Sequence, residues 1–569
     1  MANIFTLLPL LLLILLPLVC NAEFNNETNQ IPDQIMQNMI TQACANIEDQ
    51  ITCLSNLESR LPNGPRNATS ILKAALETSL NELQHVIRKV STFNSFSTST
   101  GREQIAIEDC KELLDYSVTE LAWSLAEMRR IRGSNHESRS NSHSNLYNHL
   151  VHDPEGNLQA WLSAAVSNQD TCLEGFQGTN QHVHNYIKGG LTQVTQLITN
   201  VLTLYTRFHT FPFTPPRHEI HHHNHNHNDD NSTKKFDTQD FPAWMTEGDM
   251  ELHGDSTPTK GMHVDAVVAL DGSGHYQSIG QAIDAAPNHS NRRYVIYVKK
   301  GVYNENVDIK KKKTNIMLIG DGIGATVVSS NRNFMQGWTT FRSATFAVSG
   351  KGFIARDMTF RNTAGPKAHQ AVALRVDSDQ SAFYRCSMEG YQDTLYAHSL
   401  RQFYRECNIY GTIDFIFGNG AAVIQSSNIY TRTPLPFQKV TITAQGRKSP
   451  NQNTGFSIQD CYIYATKPTY LGRPWKAFSR VVYMDTYMNS MVQPRGWLEW
   501  YGTFALNTLY FGEYRNYGPG ALLSARVKWV GFHIIRDASE AMFFTVQQFI
   551  NGMSWLPATG VKFSAGLTN

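Results

Sequence analysis

The sequence predicts a two-domain protein, in which an all-helical bundle is followed by an all-β parallel β-helix. At 569 residues the chain is too long for one ordinary hydrophobic core. The first third carries apolar residues at helical spacing, whereas the second half carries short strand-like runs that repeat at a nearly fixed period. Charged residues make up 17% of the chain and the net charge is +1, so the overall composition indicates neither a nucleic-acid-binding protein nor an acidic tail.

The N-terminus is predicted to be a signal peptide, residues 1–22. An apolar run from Leu7 to Val19 ends at the small residue Ala22, and the run is short for a membrane span. An uncleaved signal anchor is the alternative, because the usual basic residue is missing. Four Asn-x-Ser/Thr sites fit a secreted glycoprotein, although each alone is a weak signal: Asn26, Asn67, Asn231 and Asn288.

Residues 31–208 are predicted to form the helical bundle. In the segment DCKELLDYSVTELAWSLAEMRRI, apolar residues from Leu113 to Ile131 recur at steps of three and four, as on one buried face of a helix. Similar faces occur in two further segments, and polar breaks separate them. We interpret this domain as structural, since it contains no paired acids and no set of metal ligands.

Residues 209–261 are predicted to be an exposed linker. The segment is rich in Pro, His, Asn and Asp and has almost no core-forming residues. Its histidines could bind a transition metal, but nothing around them would fix a coordination geometry, so a solvated linker is favoured. These histidines are His221, His222, His223, His225 and His227.

Residues 262–567 are predicted to form the β-helix. The triplet Phe-Tyr-Arg at 383–385 returns at 403–405, a step of 20, and Cys386 returns as Cys407, a step of 21. Consecutive coils stack at roughly 4.8 Å, which falls within the Cα separation that a disulfide needs. We therefore expect a Cys386–Cys407 bridge and a reduced Cys461.

The same period brings together the residues that carry chemistry. Asp393 and Asp414 are 21 residues apart, so they should occupy equivalent points on adjacent coils, and Gln370 and Gln392 add amides nearby. Two adjacent carboxyls in a partly desolvated site cannot easily both ionise, so one should hold a proton while the other is a carboxylate. That pair would supply an acid and a nucleophile. Turn-capping acids in a stacked polar ladder are an equally good interpretation of these residues alone.

Two other segments carry candidate binding residues. Arg473 lies two residues before Trp475, and an arginine fork could orient a carboxylate while the aromatic face contacts a sugar ring. A packed surface pair is the alternative. The run from Lys310 to Lys313 could contact an anionic polysaccharide, but an exposed basic turn is favoured.

With these motifs identified, the segment from about 262 to 563 resembles the plant pectin methylesterase family. The motifs are GVYNE (301–305), HQAVALR (369–375), GYQDTLY (390–396), GTIDFIFG (411–418) and LGRPW (471–475). The resemblance implies a right-handed parallel β-helix that hydrolyses the methyl esters of homogalacturonan in the cell wall without a cofactor or metal. It also implies a secreted enzyme with no nucleic-acid partner and no membrane insertion after signal cleavage.

The resemblance also implies a role for each site residue. Asp414 is the nucleophile, Asp393 the general acid/base, and Gln392 the oxyanion stabiliser, assisted by Gln370. Arg473 and Trp475 orient the nucleophile and hold the galacturonate ring. Thr340 is a further substrate contact, and Trp497 is an aromatic subsite wall.

Residues 31–208 resemble the plant invertase and pectin methylesterase inhibitor family, which implies a four-helix bundle with Cys44–Cys53 and Cys110–Cys172 bridges. The resemblance implies that this region silences the enzyme or assists its export until cleavage. The boundary lacks the usual dibasic motif and reads GDMELHGD (248–255), with Lys234-Lys235 as a weak substitute.

Two other functions are compatible with parts of the pattern. A polygalacturonase-like glycosidase also uses adjacent acids on a β-helix, but the sequence has no GHG or RIK motif. A non-catalytic inhibitor or wall-binding protein would not need every catalytic position to be filled.

Overall fold

The computed structural model describes residues 33–62, 67–92, 101–137, 154–179, 181–209 and 262–567. The predicted signal peptide, the His-rich linker with Lys234-Lys235, and the sites Asn26 and Asn231 lie outside these residues. No helix in the described segments has the length and apolar character needed to cross a membrane.

The N-terminal domain is helical. Its long helices pack in neighbouring pairs, α3 on α4, α4 on α5, α5 on α6, and α3 on α6. The apolar face predicted for α4 is buried, with Leu113, Leu114 and Leu121 fully inaccessible. The helices of the described segments are α1 Asp33–Ala43, α2 Gln50–Glu58, α3 Ala68–Ser91, α4 Gly101–Glu137, α5 Pro154–Glu174 and α6 Gln181–His209.

Two disulfides join these helices, and both predicted pairs are confirmed. Cys44–Cys53 connects the end of α1 to α2, and Cys110–Cys172 connects α4 to α5. Asn67, one of the predicted glycosylation sites, caps α3 by accepting a hydrogen bond from the backbone N–H of Ser70.

The C-terminal domain is built from parallel strands. A 17-stranded sheet and a seven-stranded sheet enclose the core, and the seven-stranded sheet has the order β20-β17-β14-β11-β9-β7-β4. The three short helices are α7 Ile279–Ala285, α8 Ala538–Met542 and α9 Val546–Phe549. The strands are β1 Ala266–Val268, β2 Tyr294–Val298, β3 Gly301–Asn304, β4 Val307–Ile309, β5 Ile316–Ile319, β6 Thr326–Ser330, β7 Phe346–Val348, β8 Ile354–Asn362, β9 Leu374–Val376, β10 Ser381–Glu389, β11 Leu395–Ala397, β12 Arg401–Arg405, β13 Asn408–Gly411, β14 Ile416–Gly418, β15 Ala421–Gln425, β16 Asn428–Thr431, β17 Val440–Gln445, β18 Gly455–Gln459, β19 Tyr462–Tyr464, β20 Thr469–Pro474, β21 Arg480–Met484, β22 Tyr487–Met488, β23 Tyr510–Tyr514 and β24 Phe532–Ile534.

Coil stacking follows the step of 21 that separates the cysteines. Phe383 pairs with Tyr404, and their rings stack with centroids 5.0 Å apart. The repeated Phe-Tyr-Arg triplets are therefore offset by one residue from the true register. In the seven-stranded sheet Leu395 pairs with Leu374 on one side and with Ile416 on the other, again a step of 21.

The predicted Cys386–Cys407 disulfide is wrong. Cys386, Cys407 and Cys461 are all unbonded and buried. Each thiol points back toward a carbonyl of the preceding coil: Cys386 Sγ lies 3.5 Å from the Ala355 oxygen, and Cys407 Sγ lies 3.4 Å from the Phe383 oxygen. Because the stacked thiols point the same way along the coil axis, their sulfurs do not face each other as a disulfide requires.

The helical domain packs against the outer face of the seven-stranded sheet. Helical residues form one apolar cluster with Tyr396 and Phe417, which project outward from β11 and β14. Polar contacts surround this cluster: Thr171 of α5 hydrogen bonds to His398 at 2.9 Å, and Trp161 Nε1 donates to Asp379 at 3.0 Å. The sheet that carries the candidate catalytic residues is therefore the sheet that the helices cover.

Candidate active site

Asp393 and Asp414 lie at equivalent corners of adjacent coils. Each lies two residues before a strand of the seven-stranded sheet, and each has a left-handed backbone, with φ of 62° and 50°. The backbone N–H of Asp393 donates to the carbonyl of Ile413 on the next coil at 3.1 Å. Aspartate tolerates this backbone region better than most residues do, so the corner fixes both carboxyls beside each other.

The Asp414 carboxylate is held by side chains. Arg473 donates to it from Nε at 2.9 Å and from Nη2 at 2.6 Å, in a bidentate arrangement. The Thr441 hydroxyl donates to Oδ1 at 2.7 Å. Charge-assisted contacts of this kind stabilise the ionised form of an acid, so Asp414 is placed to act as a carboxylate.

Asp393 is in the opposite electrostatic situation. Burial raises the pKa of its carboxyl well above the usual range, the neighbouring Asp414 charge raises it further, and Arg473 only partly opposes this. No hydrogen bond to its carboxyl is present among the described residues, so the carboxyl does not cap a turn. Asp393 therefore holds its proton to a higher pH than a solvent-exposed aspartate does.

Two glutamines lie near the acids: Gln392 directly precedes Asp393 on the same coil, and Gln370 lies on the coil before it. The backbone oxygen of Gln392 accepts from the Ala371 N–H at 3.3 Å, which places Gln370 one residue away from the exact stacking position. Both side chains are half-buried. Within the described segments neither amide side chain makes a hydrogen bond, so both are free to donate to a ligand.

Trp475 lies beside the catalytic pair on the edge of the same sheet. Its ring is 6.0 Å from that of Phe417. A Cβ added at Gly446 would come within 2.9 Å of the Trp475 ring, so glycine is needed there for the indole to lie against the backbone. The residue is only half-buried, and the Lys476 ammonium lies 5.0 Å from the centroid of its ring.

The structure corrects one aromatic assignment. Trp497 was expected at a subsite wall, but it is fully buried, stacks on Phe511 at 4.2 Å and donates to Glu513. Trp500, three residues later, lies at the site instead, with the Arg473 guanidinium 4.3 Å from its ring centroid. The spacing of the two tryptophans does not reveal which one faces outward, because the segment is an irregular turn.

Thr340 is not joined to the catalytic pair by any contact in the described residues. It precedes a single 3₁₀ turn, Phe341–Ser343, on a coil two strands before Asp393 in the sheet order. Its half-buried side chain makes no capping hydrogen bond.

The lysine run at 310–313 is not simply an exposed turn. Lys310 and Lys311 pair with carboxylates of the helical domain, at 2.6 and 2.5 Å from Glu112 and Glu120. Lys313 is buried and donates to the backbone carbonyls of Asp284 and Ala286. Across the described chain, no group of three or more His, Cys, Asp or Glu side chains is arranged to hold a metal ion.

Replacing Asp393 with Asn should stabilise the protein at neutral pH. The carboxyl has a raised pKa in the folded state, so its contribution to stability is complete below the unfolded pKa of about 3.9 and is lost as pH rises through the folded value. We expect Asp393→Asn to raise the unfolding temperature by at least about 2 °C at pH 7, and by little near about pH 3.5. Calorimetry measures the unfolding temperature of this variant and of the control Asp284→Asn, which removes an exposed carboxylate. Equal shifts of the unfolding temperature in both variants would contradict the prediction.

Comparisons with known proteins show the family of each domain. The pectinesterase family model matches residues 265–553, and the plant invertase/pectin methylesterase inhibitor model matches residues 38–204. The chain is 57% identical to putative pectinesterase/pectinesterase inhibitor 22 of Arabidopsis thaliana, over 94% of each protein. It is 49% identical to pectinesterase/pectinesterase inhibitor PPE8B of Prunus persica, over 86% of this chain and 88% of that one. The solved structure of pectin methylesterase from carrot is 53% identical with a TM-score of 0.54, and the match covers 55% of this chain and all of that chain.

Proposed function

We propose a catalytic mechanism from one premise: the chain belongs to the pectinesterase family, and it is a pectin methylesterase that carries an inhibitor-family domain ahead of the esterase domain. The reaction hydrolyses a methyl ester of pectin to methanol and a free carboxylate. The observation that carries the mechanism is the unequal pair of acids, one fixed by Arg473 and the other with a raised pKa.

In the first step the Asp414 carboxylate attacks the ester carbonyl carbon. The carbonyl oxygen becomes an oxyanion, and the Gln392 amide donates a hydrogen bond to it with help from Gln370. The intermediate collapses as the C–O bond to the methoxy group breaks. Asp393 gives its proton to that oxygen, so methanol leaves and an acyl-enzyme anhydride with Asp414 remains.

In the second step Asp393, now ionised, takes a proton from water. The hydroxide attacks the acyl carbon, and the second tetrahedral intermediate collapses by breaking the C–O bond to Asp414, which leaves as a carboxylate. The freed galacturonic acid group loses its proton to water and becomes the product carboxylate. Asp393 is protonated again and Asp414 is again a carboxylate. Arg473 keeps Asp414 ionised and correctly oriented, while Trp475 contacts the sugar ring.

Methanol release without loss of polymer length tests this function. The purified protein is incubated with methylated homogalacturonan, and methanol and chain length are followed together. We expect methanol to accumulate while chain length stays constant. Chain shortening would favour the polygalacturonase-like alternative, and the absence of both products from the full chain and from forms released from the helical domain would favour the non-catalytic one.

Chelators should leave the activity unchanged. Each step above is assigned to a side chain of this chain, so removing divalent ions from a soluble-substrate assay should change the initial rate by less than about twofold. Dialysis against a chelator, followed by methanol measurement with and without added divalent ions, checks this. A rate restored only by a metal would contradict the mechanism.

The helical domain is proposed to silence the enzyme in the uncleaved chain. Glu174 of α5 pairs with Lys476 at 2.5 Å, one residue from Trp475. Trp475 and Trp500 both pack against the apolar cluster that helical residues form with Tyr396 and Phe417. A polysaccharide could not contact the outer face of this sheet while the helices occupy it.

A charge reversal at the interface should therefore activate the uncleaved protein. Glu174→Lys places two ammonium groups opposite each other beside the site, which weakens docking. We expect methanol release to rise by about fivefold or more relative to the unsubstituted chain. Glu58→Lys, on the exposed side of α2, is the matched control and should change the rate by less than about twofold; equal rates in all three proteins would contradict silencing by this contact.

Several broader features are part of the same proposal. The inhibitor-like region extends over 31–208 as a four-helix bundle formed by α3 to α6, the linker over 209–261, and the right-handed β-helix over 262–567. Residues 1–22 direct secretion to the cell wall, where methylesterified homogalacturonan is the substrate. Detachment of the helical region at the linker would expose the esterase, and the mass of the secreted protein measures whether it occurs.

A further inference from the structure

A threonine hydroxyl connects the backbone and the carboxylate of Asp414. Thr441 lies on β17, the strand that pairs with β14. Its hydroxyl accepts a hydrogen bond from the backbone N–H of Asp414 at 3.0 Å and donates to Oδ1 of the same residue at 2.7 Å. A hydroxyl has one proton to donate, and Oδ1 is its acceptor within the described chain. The hydroxyl direction is therefore fixed, and it restrains the torsion of the Asp414 side chain.

This contact is shielded from water. Thr441 and Asp414 are both buried, so solvent does not readily replace either of the two hydrogen bonds. Loss of the hydroxyl would leave the buried Asp414 N–H without its partner and would remove one donor from Oδ1. The position of the carboxylate would then depend on Arg473 alone.

The donors around the Asp414 carboxylate are divided unequally between its two oxygens. A carboxylate has about four lone-pair positions. The Arg473 fork uses one on each oxygen, with Nε 2.9 Å from Oδ1 and Nη2 2.6 Å from Oδ2. Nε also lies 3.1 Å from Oδ2, but its shorter contact is with Oδ1. Thr441 uses the second position on Oδ1. The position that has no donor among the described residues therefore belongs to Oδ2.

We propose that Thr441 is a positioning residue that anchors Oδ1 and so makes Oδ2 the attacking oxygen. This inference rests on the proposed function and deepens it. In the first step Oδ2 forms the bond to the ester carbonyl carbon, and the carbonyl electron pair moves to the carbonyl oxygen. In the anhydride that remains after methanol leaves, Oδ2 is the bridging atom and Oδ1 is the carbonyl oxygen of Asp414.

The same anchor acts in the second step. Asp414 has no charge in the anhydride, so its ion pair with Arg473 is lost until the residue is released. The Thr441 hydroxyl keeps its N–H partner and still points at Oδ1. When hydroxide has attacked the acyl carbon, the bond from that carbon to Oδ2 breaks, and its electron pair returns to Asp414. A donor already placed at Oδ1 binds more strongly as this charge develops.

Thr441→Val tests the anchor, because valine has the shape of threonine without the hydroxyl. Methanol release is measured in the full chain that carries Glu174→Lys, the parent protein for this test. We expect kcat to fall by at least about tenfold and KM to change by less than about twofold, because Thr441 acts through Asp414. Thr441→Ser restores a hydroxyl and should recover kcat to within about threefold of the parent protein.

Thr443→Val is the matched control. Thr443 lies two residues further along β17, is fully buried, and donates its hydroxyl to the Leu471 carbonyl at 2.9 Å. The substitution therefore also removes a buried hydrogen bond and should lower the unfolding temperature, yet it should change kcat by less than about twofold. Equal losses of kcat in the two valine variants, or a Thr441→Ser protein as slow as Thr441→Val, would overturn the proposal.

Crystal structures of the same variants give a readout that does not depend on activity. We expect the Asp414 carboxylate of Thr441→Val to rotate or to occupy two positions, and that of Thr441→Ser to superpose on the parent. An unchanged carboxylate in Thr441→Val would overturn the proposal. A parent protein that releases no methanol would overturn the proposed function itself, whereas an active parent matched in kcat by Thr441→Val would overturn this inference alone.

Discussion

Asp414→Asn should reduce methanol release by at least about 10³-fold while leaving a folded protein. The amide keeps the size of the side chain, and its single oxygen can still accept from Thr441 and from Arg473 Nε, whereas the bond from Arg473 Nη2 is lost. What is lost is the negative charge and with it the nucleophile. Because the uncleaved chain is proposed to be silenced, the rate should be compared in the activated Glu174→Lys background.

Asp460→Asn is the control for this substitution. Asp460 also occupies a left-handed corner, with φ of 54°, but its carboxylate accepts a hydrogen bond from Ser426 away from the catalytic pair. It should lose less than about twofold in rate. Circular dichroism and the unfolding temperature verify folding of both variants, and near-normal activity of Asp414→Asn would refute its role as nucleophile.

Gln392→Ala should lower the chemical step by about 10²-fold or more. The side-chain amide makes no hydrogen bond within the described residues, so its removal leaves no partner unsatisfied and should not destabilise the fold. The loss should appear in kcat rather than in KM, because the negative charge that it stabilises develops only after attack.

Gln281→Ala is the matched control, since Gln281 is an exposed glutamine on the short helix α7. It should leave both constants unchanged within about twofold. A change in Gln392→Ala that is confined to KM would show that the amide holds the substrate rather than the oxyanion.

Coil register was the part of the fold that the sequence predicted best. The step of 21 between the two aspartates corresponds to the observed pairing of Leu395 with Ile416. The repeated triplets at 383–385 and 403–405 are shifted by one residue from the pairing of their strands. Aromatic and arginine residues occur at many strand positions, whereas interior cysteines occupy a specific place, so the cysteines gave the better register.

The missed features depend on side-chain direction, which a period does not determine. The period correctly placed Cys386 and Cys407 at equivalent positions on adjacent coils. Both thiols, however, point toward the preceding coil. Trp497 and Trp500 differ only in which of them faces the core. The basic run at 310–313 could not be interpreted from its own composition, because its partners are acids nearly 200 residues earlier in α4.

The two disulfides of the described structure both lie in the helical domain, and the three cysteines of the esterase domain are unbonded and buried. A reducing agent would therefore break covalent links in the helical domain but none in the esterase domain. Thiol treatment should loosen the helices first and leave the stacked coils intact, so mild reduction offers a way to uncover the esterase without proteolysis.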